Sequence, residues 1–206
     1  MSAGVLRLLV APTNRNKLRE IRAVLAGAPV ELVSLEDVAP VAEPEETGTT
    51  FAENARLKAR YYAAHAGIPT AAEDSGLVID ALDGEPGVYS ARFLSPDATY
   101  PERFAEIYRR LALAPGAARS ARFICALAVA GSDDRIVFET TGVVEGEIAA
   151  APHGSAGFGY DPIFYYPPFG RTLAEVAENE KLAIAHRGVA FRALAEWLTS
   201  STAGRS

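Results

Sequence analysis

Glu73-Asp74-Ser75-Gly76-Leu77 sets two adjacent carboxylates, a hydroxyl and a glycine between the apolar runs Ile68-Pro69-Thr70-Ala71-Ala72 and Leu77-Val78-Ile79. The pattern predicts a short strand giving way to a turn at the acids, where polar groups leave the core and face a cleft. Asp-Ser-Gly is also ordinary turn chemistry, because Asp and Ser bond nearby backbone and Gly accepts positive φ. A second acidic pair, Glu45-Glu46, precedes Thr47-Gly48 and brings the carboxylates to four. Hard oxygen donors of this kind suit Mg²⁺, which keeps waters and takes one or two carboxylates plus substrate phosphates. An acidic surface has the same pattern, so only convergence in space separates the two readings.

Cations and aromatics stand in three further places. Pro12-Thr13-Asn14-Arg15-Asn16-Lys17 follows an apolar run and opens a helix, where free backbone N–H groups and the helix dipole favour an anion; a plain Asn N-cap is the other reading. Thr50, Asn54 and Lys58 recur at helical spacing and share one face, beside an apolar face of Phe51, Ala55, Tyr62 and Ala66. The glycines of Gly154-Ser155-Ala156-Gly157-Phe158-Gly159-Tyr160-Asp161-Pro162 let backbone approach a ligand, while Phe158 and Tyr160 offer faces for a planar base; a tight turn with buried aromatics looks the same. Lys181 is placed to meet phosphate, and His186-Arg187 to donate to a carbonyl or simply to end a helix.

The elements that must position these groups alternate in type. Residues 5–11 and 30–35 read as strands, with Leu18, Ile21 and Leu25 at helical spacing between them. Thr50, three residues before Glu53, suggests a capping box opening a helix to residue 66, closed by Gly67. A helix is expected over 101–113, strands over 121–130 and 135–148 joined by the turn Gly131-Ser132-Asp133-Asp134, and helices near Glu178 and over 189–198. The expectation is one α/β domain over 1–198, a mixed central sheet flanked by helices in two lobes with the active-site cleft between them, and a frayed tail over 199–206. With 49% hydrophobic and 22% charged residues in 206, the chain falls in the globular range. Its net charge of −6 argues against a nucleic-acid or anionic-membrane surface, so an anionic ligand needs local cations or a metal. Cys125 reads as a small core residue, and the absence of a leader or long apolar run points to the cytoplasm.

In this order the pieces resemble the inosine/xanthosine triphosphate pyrophosphatase family, house-cleaning enzymes that remove deaminated purine nucleotides. The resemblance rests on Thr13-Asn14-Arg15-Asn16-Lys17, the stretch from Glu45 through Asn54 and Lys58, Asp74-Ser75-Gly76-Leu77, Pro86-Gly87-Val88-Tyr89-Ser90-Ala91-Arg92, Gly157-Phe158-Gly159-Tyr160-Asp161-Pro162, Glu180-Lys181 and His186-Arg187-Gly188. It implies Mg²⁺-dependent hydrolysis of ITP, dITP and XTP to the monophosphate and pyrophosphate by a homodimer. Asp74 is then general base, metal ligand or both, and Lys58 is catalytic; Glu45 or Glu46 completes the metal shell. Thr13, Asn14, Lys17, Asn54, Ser75, Phe158, Gly159, Tyr160, Asp161, Lys181, His186 and Arg187 bind the substrate, with the base between Phe158 and the His186-Arg187 turn. Glu73 stands where many relatives carry a second Asp. The rivals are a related pyrophosphatase for modified pyrimidine or methylated nucleotides and a nucleotide sensor without chemistry, which would have no use for a base at Asp74.

Overall fold

The computed structural model describes residues 6–114 and 116–203. Among them the elements run β1 (Leu6–Val10), α1 (Arg15–Val24), β2 (Val30–Ser34), α2 (Phe51–Ala66), β3 (Thr70–Ile79), α3 (Tyr100–Ala112), β4 (Ser120–Ala130), β5 (Ile136–Ile148), β6 (Phe164–Tyr166), β7 (Arg171–Thr172), α4 (Glu178–Ile184) and α5 (His186–Ala203). The strands hydrogen-bond in the order β2-β1-β3-β4-β5-β6-β7. β1 pairs in parallel with β2 and β3, whereas β6 pairs antiparallel with β5 and β7, so the sheet is mixed. The expected tight turn joins β4 to β5, closed by the Gly131 N–H donating to the Arg135 carbonyl at 2.8 Å.

By contact density the chain forms two compact units, each from separate stretches of sequence. One takes the residues up to Asp74, then Cys125–Gly142, then those from Arg187 on. In it Ile21 of α1 and Leu25, which caps that helix, are buried with Leu8, Val10, Leu127, Phe191 and Leu194; each such side chain gains about 1.5–3 kcal/mol over exposure. The alanines of α2 (Ala55, Ala59 and Ala63) pack with Leu9, Ala72, Ala126 and Ala128, and small side chains allow the helix close approach. α2 begins at the expected capping box: Thr50 Oγ1 accepts from the Glu53 N–H at 3.2 Å, and the Glu53 carboxylate accepts from the Thr50 N–H at 3.1 Å. It ends at Gly67, which takes the left-handed conformation with φ 68°.

The other unit comprises Ser75–Ile124 and Val143–His186. Its core gathers Leu77, Ile79, Phe104, Ile107, Phe123, Phe164 and Leu173. α3 has a capping box of its own, Thr99 with Glu102.

Three expectations are corrected. The turn expected at Glu73-Asp74 is absent, because β3 runs unbroken from Thr70 to Ile79. Gly76 serves close packing there: a Cβ would stand 2.6 Å from the Gly87 carbonyl oxygen and collide with the Ser90 hydroxyl. Strands β6 and β7, of three and two residues, were not foreseen, being too short to show a period. Helix α5 starts at His186 and continues through 199–203, where fraying was expected; residues 204–206 lie outside the described part.

Candidate active site

Consecutive side chains on a strand point to opposite faces, so the unbroken β3 sends Glu73 and Asp74 to different neighbours. Asp74 meets α2: its Oδ2 accepts from Asn54 Nδ2 at 3.1 Å and its Oδ1 from Lys58 Nζ at 3.0 Å. The i, i+4 spacing on α2 aims both donors at one carboxylate, as the shared helix face predicted. Asn54 is fully buried, and its Oδ1 accepts the Gly48 N–H at 2.8 Å, which ties the acidic loop to the helix. Lys58 also donates to Glu46 Oε1 at 2.7 Å. Glu46 is thus the member of the glutamate pair brought to Asp74; Glu45 is exposed. Burial raises the Asp74 carboxyl above its ordinary pKa, Lys58 pulls it down, Glu46 pushes it up again, and the net direction is up. On Lys58, burial opposes the charge, but Asp74, Glu73 and Glu46 outweigh it and the ammonium is favoured.

Glu73 faces a second set of charges. Lys17 Nζ lies 2.7 Å from its Oε1 and Arg187 Nη2 3.6 Å away, while the Cys125 thiol donates to Oε2 at 3.5 Å. Arg187 Nη1 donates to Glu20 Oε2 at 2.5 Å. Burial works against the Glu73 carboxylate, yet Lys17, Arg187 and Lys58 together hold it well below the usual range. Glu73 therefore joins Lys17 and Arg187, while Lys58 acts on both it and Asp74. Cys125, expected as a plain core residue, touches this carboxylate, and burial with the Glu73 charge pushes its thiol well up. At the start of α1 the Asn14 side chain accepts from the N–H groups of Asn16 and Lys17 at 2.8 and 3.4 Å, so two donors expected to await an anion are capped internally. Thr13 is exposed there.

The unit built on Ser75–Ile124 and Val143–His186 holds the aromatic loop. Asp161 Oδ2 accepts from Lys181 Nζ at 2.6 Å and from the Phe158 N–H at 2.8 Å, and Lys181 Nζ sits 4.9 Å from the Phe158 ring centroid. Gly157 has φ 72° and leaves no room for a side chain beside Asp161. Lys181, expected to meet phosphate, is buried and paired with the loop carboxylate. Tyr160 is not an open face either: it is buried, its hydroxyl donates to the Ser90 carbonyl at 2.9 Å, and Tyr100 packs edge-on at 5.3 Å. Phe158 and Gly159 stay partly exposed, as does Ser75. His186 stacks on Phe123 at 4.9 Å and 16°. His186 and Arg187 open α5, so the helix-ending turn expected at these two residues is corrected.

The chain is similar to known proteins over almost its whole length. The Ham1 family profile matches residues 8–197. The chain belongs to the Ham1 family. It is 44% identical over 192 residues to a protein named dITP/XTP pyrophosphatase in Geobacter sulfurreducens, covering 93% of this chain and 96% of that one. A protein of the same name in Symbiobacterium thermophilum is 47% identical over 192 residues, covering 93% of each. The solved structure of a Ham1 protein from Coxiella burnetii superposes with a TM-score of 0.89 at 42% identity, covering 95% of this chain and 99% of that one.

Glu46 and Asp74 both contact Lys58 Nζ, at 2.7 and 3.0 Å. Among the described residues no group of three His, Cys, Asp or Glu side chains is assembled to hold a metal. Two carboxylates gathered about one cation fit Mg²⁺, whose shell takes few protein oxygens and leaves the rest to water and phosphate. Sequence reasoning overlooked Glu20, the buried ion-pair partner of Arg187. Its signal was its place three residues after Lys17 on α1, where the two side chains share a face. No helix of the described residues is long and apolar enough to cross a membrane.

Proposed function

We propose that this protein hydrolyses non-standard purine nucleoside triphosphates (ITP, dITP and XTP) to the monophosphate and pyrophosphate. The observation that carries the reading is the Asp74 carboxylate, buried, raised in pKa and held by Asn54 and Lys58. A carboxylate oriented by two donors and made more basic by burial is suited to take a proton from water. The water oxygen then bonds to the α-phosphorus, the bond to the α–β bridging oxygen breaks, and pyrophosphate leaves with the electron pair. Mg²⁺ at Glu46 and Asp74 would neutralise phosphate charge. Lys58 and Lys17 add positive charge for the triphosphate, Lys17 pre-oriented by Glu73. Asp161 and Lys181 hold the Phe158 loop in shape for a planar base.

Hypoxanthine and xanthine present a 6-oxo acceptor where adenine presents an amino donor, so donors at His186 and Arg187 favour the former. An unpaired buried donor costs about 1–3 kcal/mol, roughly tenfold to hundredfold in discrimination. A single domain over 1–198 acting as a cytoplasmic homodimer completes the reading. The test is to mix the protein with ITP, dITP, XTP, ATP and GTP, with and without Mg²⁺, and identify the products. Monophosphate plus pyrophosphate from dITP or XTP, lost in Asp74→Asn, is expected. Diphosphate plus phosphate would move the attack to the γ-phosphorus, and binding without turnover would favour the sensor.

A further inference from the structure

Lys58 holds two carboxylates that would otherwise repel each other. Its Nζ is 2.7 Å from Glu46 Oε1 and 3.0 Å from Asp74 Oδ1, and its side chain is only 14% exposed. These are the carboxylates that a divalent cation would use. Resting on the pyrophosphatase reading, we propose that Lys58 is a built-in stand-in for that cation: in the free protein it neutralises the Glu46–Asp74 pair, so that Mg²⁺ is taken up together with the triphosphate and not before it.

The physical case is electrostatic. A divalent ion seated beside an ammonium meets repulsion that, at the effective dielectric of a half-buried site, weakens its binding by more than about tenfold. Glu46, Asp74 and Lys58 leave a single net negative charge, and Glu73, which also acts on Lys58, is offset by its own partners Lys17 and Arg187; that is too little to draw Mg²⁺ out of its water shell. A triphosphate reverses the balance by bringing several negative charges. The four-carbon stem of Lys58 then lets its ammonium move from carboxylate to phosphate oxygen, which an anchored guanidinium could not do as easily. Nucleotide and metal should therefore strengthen each other's binding by the same factor.

Mn²⁺ binding, followed by the electron paramagnetic resonance of the free ion, tests this without turnover. The parent protein should bind Mn²⁺ weakly alone, and at least about tenfold more tightly with an α,β-imido dITP analogue. Lys58→Met should bind Mn²⁺ at least about tenfold more tightly than the parent in the absence of nucleotide. Lys58→Arg should stay weak, and Lys58→Met with Glu46→Gln should lose the gain. Equal Mn²⁺ affinity in parent and Lys58→Met, or a gain that survives Glu46→Gln, overturns the proposal. So does tight nucleotide-free binding by the parent, a result independent of whether any variant folds. Turnover of dITP by the same parent sample is scored separately: its absence sinks the pyrophosphatase reading, whereas the Mn²⁺ comparison decides the role of Lys58.

Discussion

Replacing Glu73 with Gln should destabilise the protein by about 3 kcal/mol, the low end of the cost of breaking a buried ion pair. The carboxylate is 3% exposed and lies 2.7 Å from Lys17 and 3.6 Å from Arg187. At an effective dielectric near 20 these distances correspond to gross attractions of ~6 and ~5 kcal/mol. The neutral amide forfeits most of that, while the cost of burying the carboxylate disappears. Each cation also has a way out: the Lys17 side chain is 23% exposed and can turn to water, and Arg187 keeps Glu20. For a chain of 206 residues a loss of this size lowers the melting temperature by ~6–12 °C. Urea unfolding of the parent, Glu73→Gln, Lys17→Met and the double variant separates the contributions. The cycle should give a Lys17–Glu73 coupling of about 1–3 kcal/mol. A Glu73→Gln loss below about 1 kcal/mol, or strict additivity with Lys17→Met, would refute the view that this carboxylate organises the two cations.

Asp74→Asn should lower kcat for dITP by at least about 10²–10⁴-fold with the circular dichroism unchanged; a smaller loss removes Asp74 as the base. Asn54→Ala leaves the Gly48 N–H without its buried acceptor and Asp74 without one donor, so a stability loss of about 1–3 kcal/mol and a fall in kcat should appear together. Gly76→Ala should cost about 1–3 kcal/mol in urea unfolding through collision with Gly87 and Ser90, and a neutral result would contradict the packing described for β3. The Glu106 carboxyl, hydrogen-bonded by Arg109 and Arg110, is lowered to about 2, so an NMR titration should find it ionised at pH 4; because the folded value is depressed, its contribution to stability is complete above the ordinary carboxylate range and is lost as pH falls towards 2. A midpoint near 4.5 would show that the two arginines do not engage it.

Much of the local structure was legible because its causes lie within a few residues. The capping box at Thr50 and Glu53, the left-handed close at Gly67 and the turn after Ala130 are each set by side-chain chemistry inside a single turn. The face shared by Asn54 and Lys58 followed from helical spacing alone, and it fell on Asp74. Legibility failed where a local cue had two meanings. Asp-Ser-Gly reads as a turn, but burial on both faces of β3 and the close packing at Gly76 keep it extended. Phe158 and Tyr160 are alike in the sequence, yet Tyr160 lies in the core with its hydroxyl bonded to the Ser90 carbonyl.

By itself the sequence determined the class of chemistry: ordered motifs carrying carboxylates, lysines and a glycine-rich aromatic loop, with the helices and most of the strands that present them. Only the tertiary structure decided how the charges are shared. It sent Glu73 to Lys17 and Arg187 and Asp74 to Asn54 and Lys58, and it chose Glu46 over Glu45. It also joined Arg187 to Glu20 across 167 positions of sequence. Helix caps and turns are satisfied within a few residues, whereas the partner of a buried charge depends on which strands lie side by side and which face each side chain takes, and no local pattern encodes that.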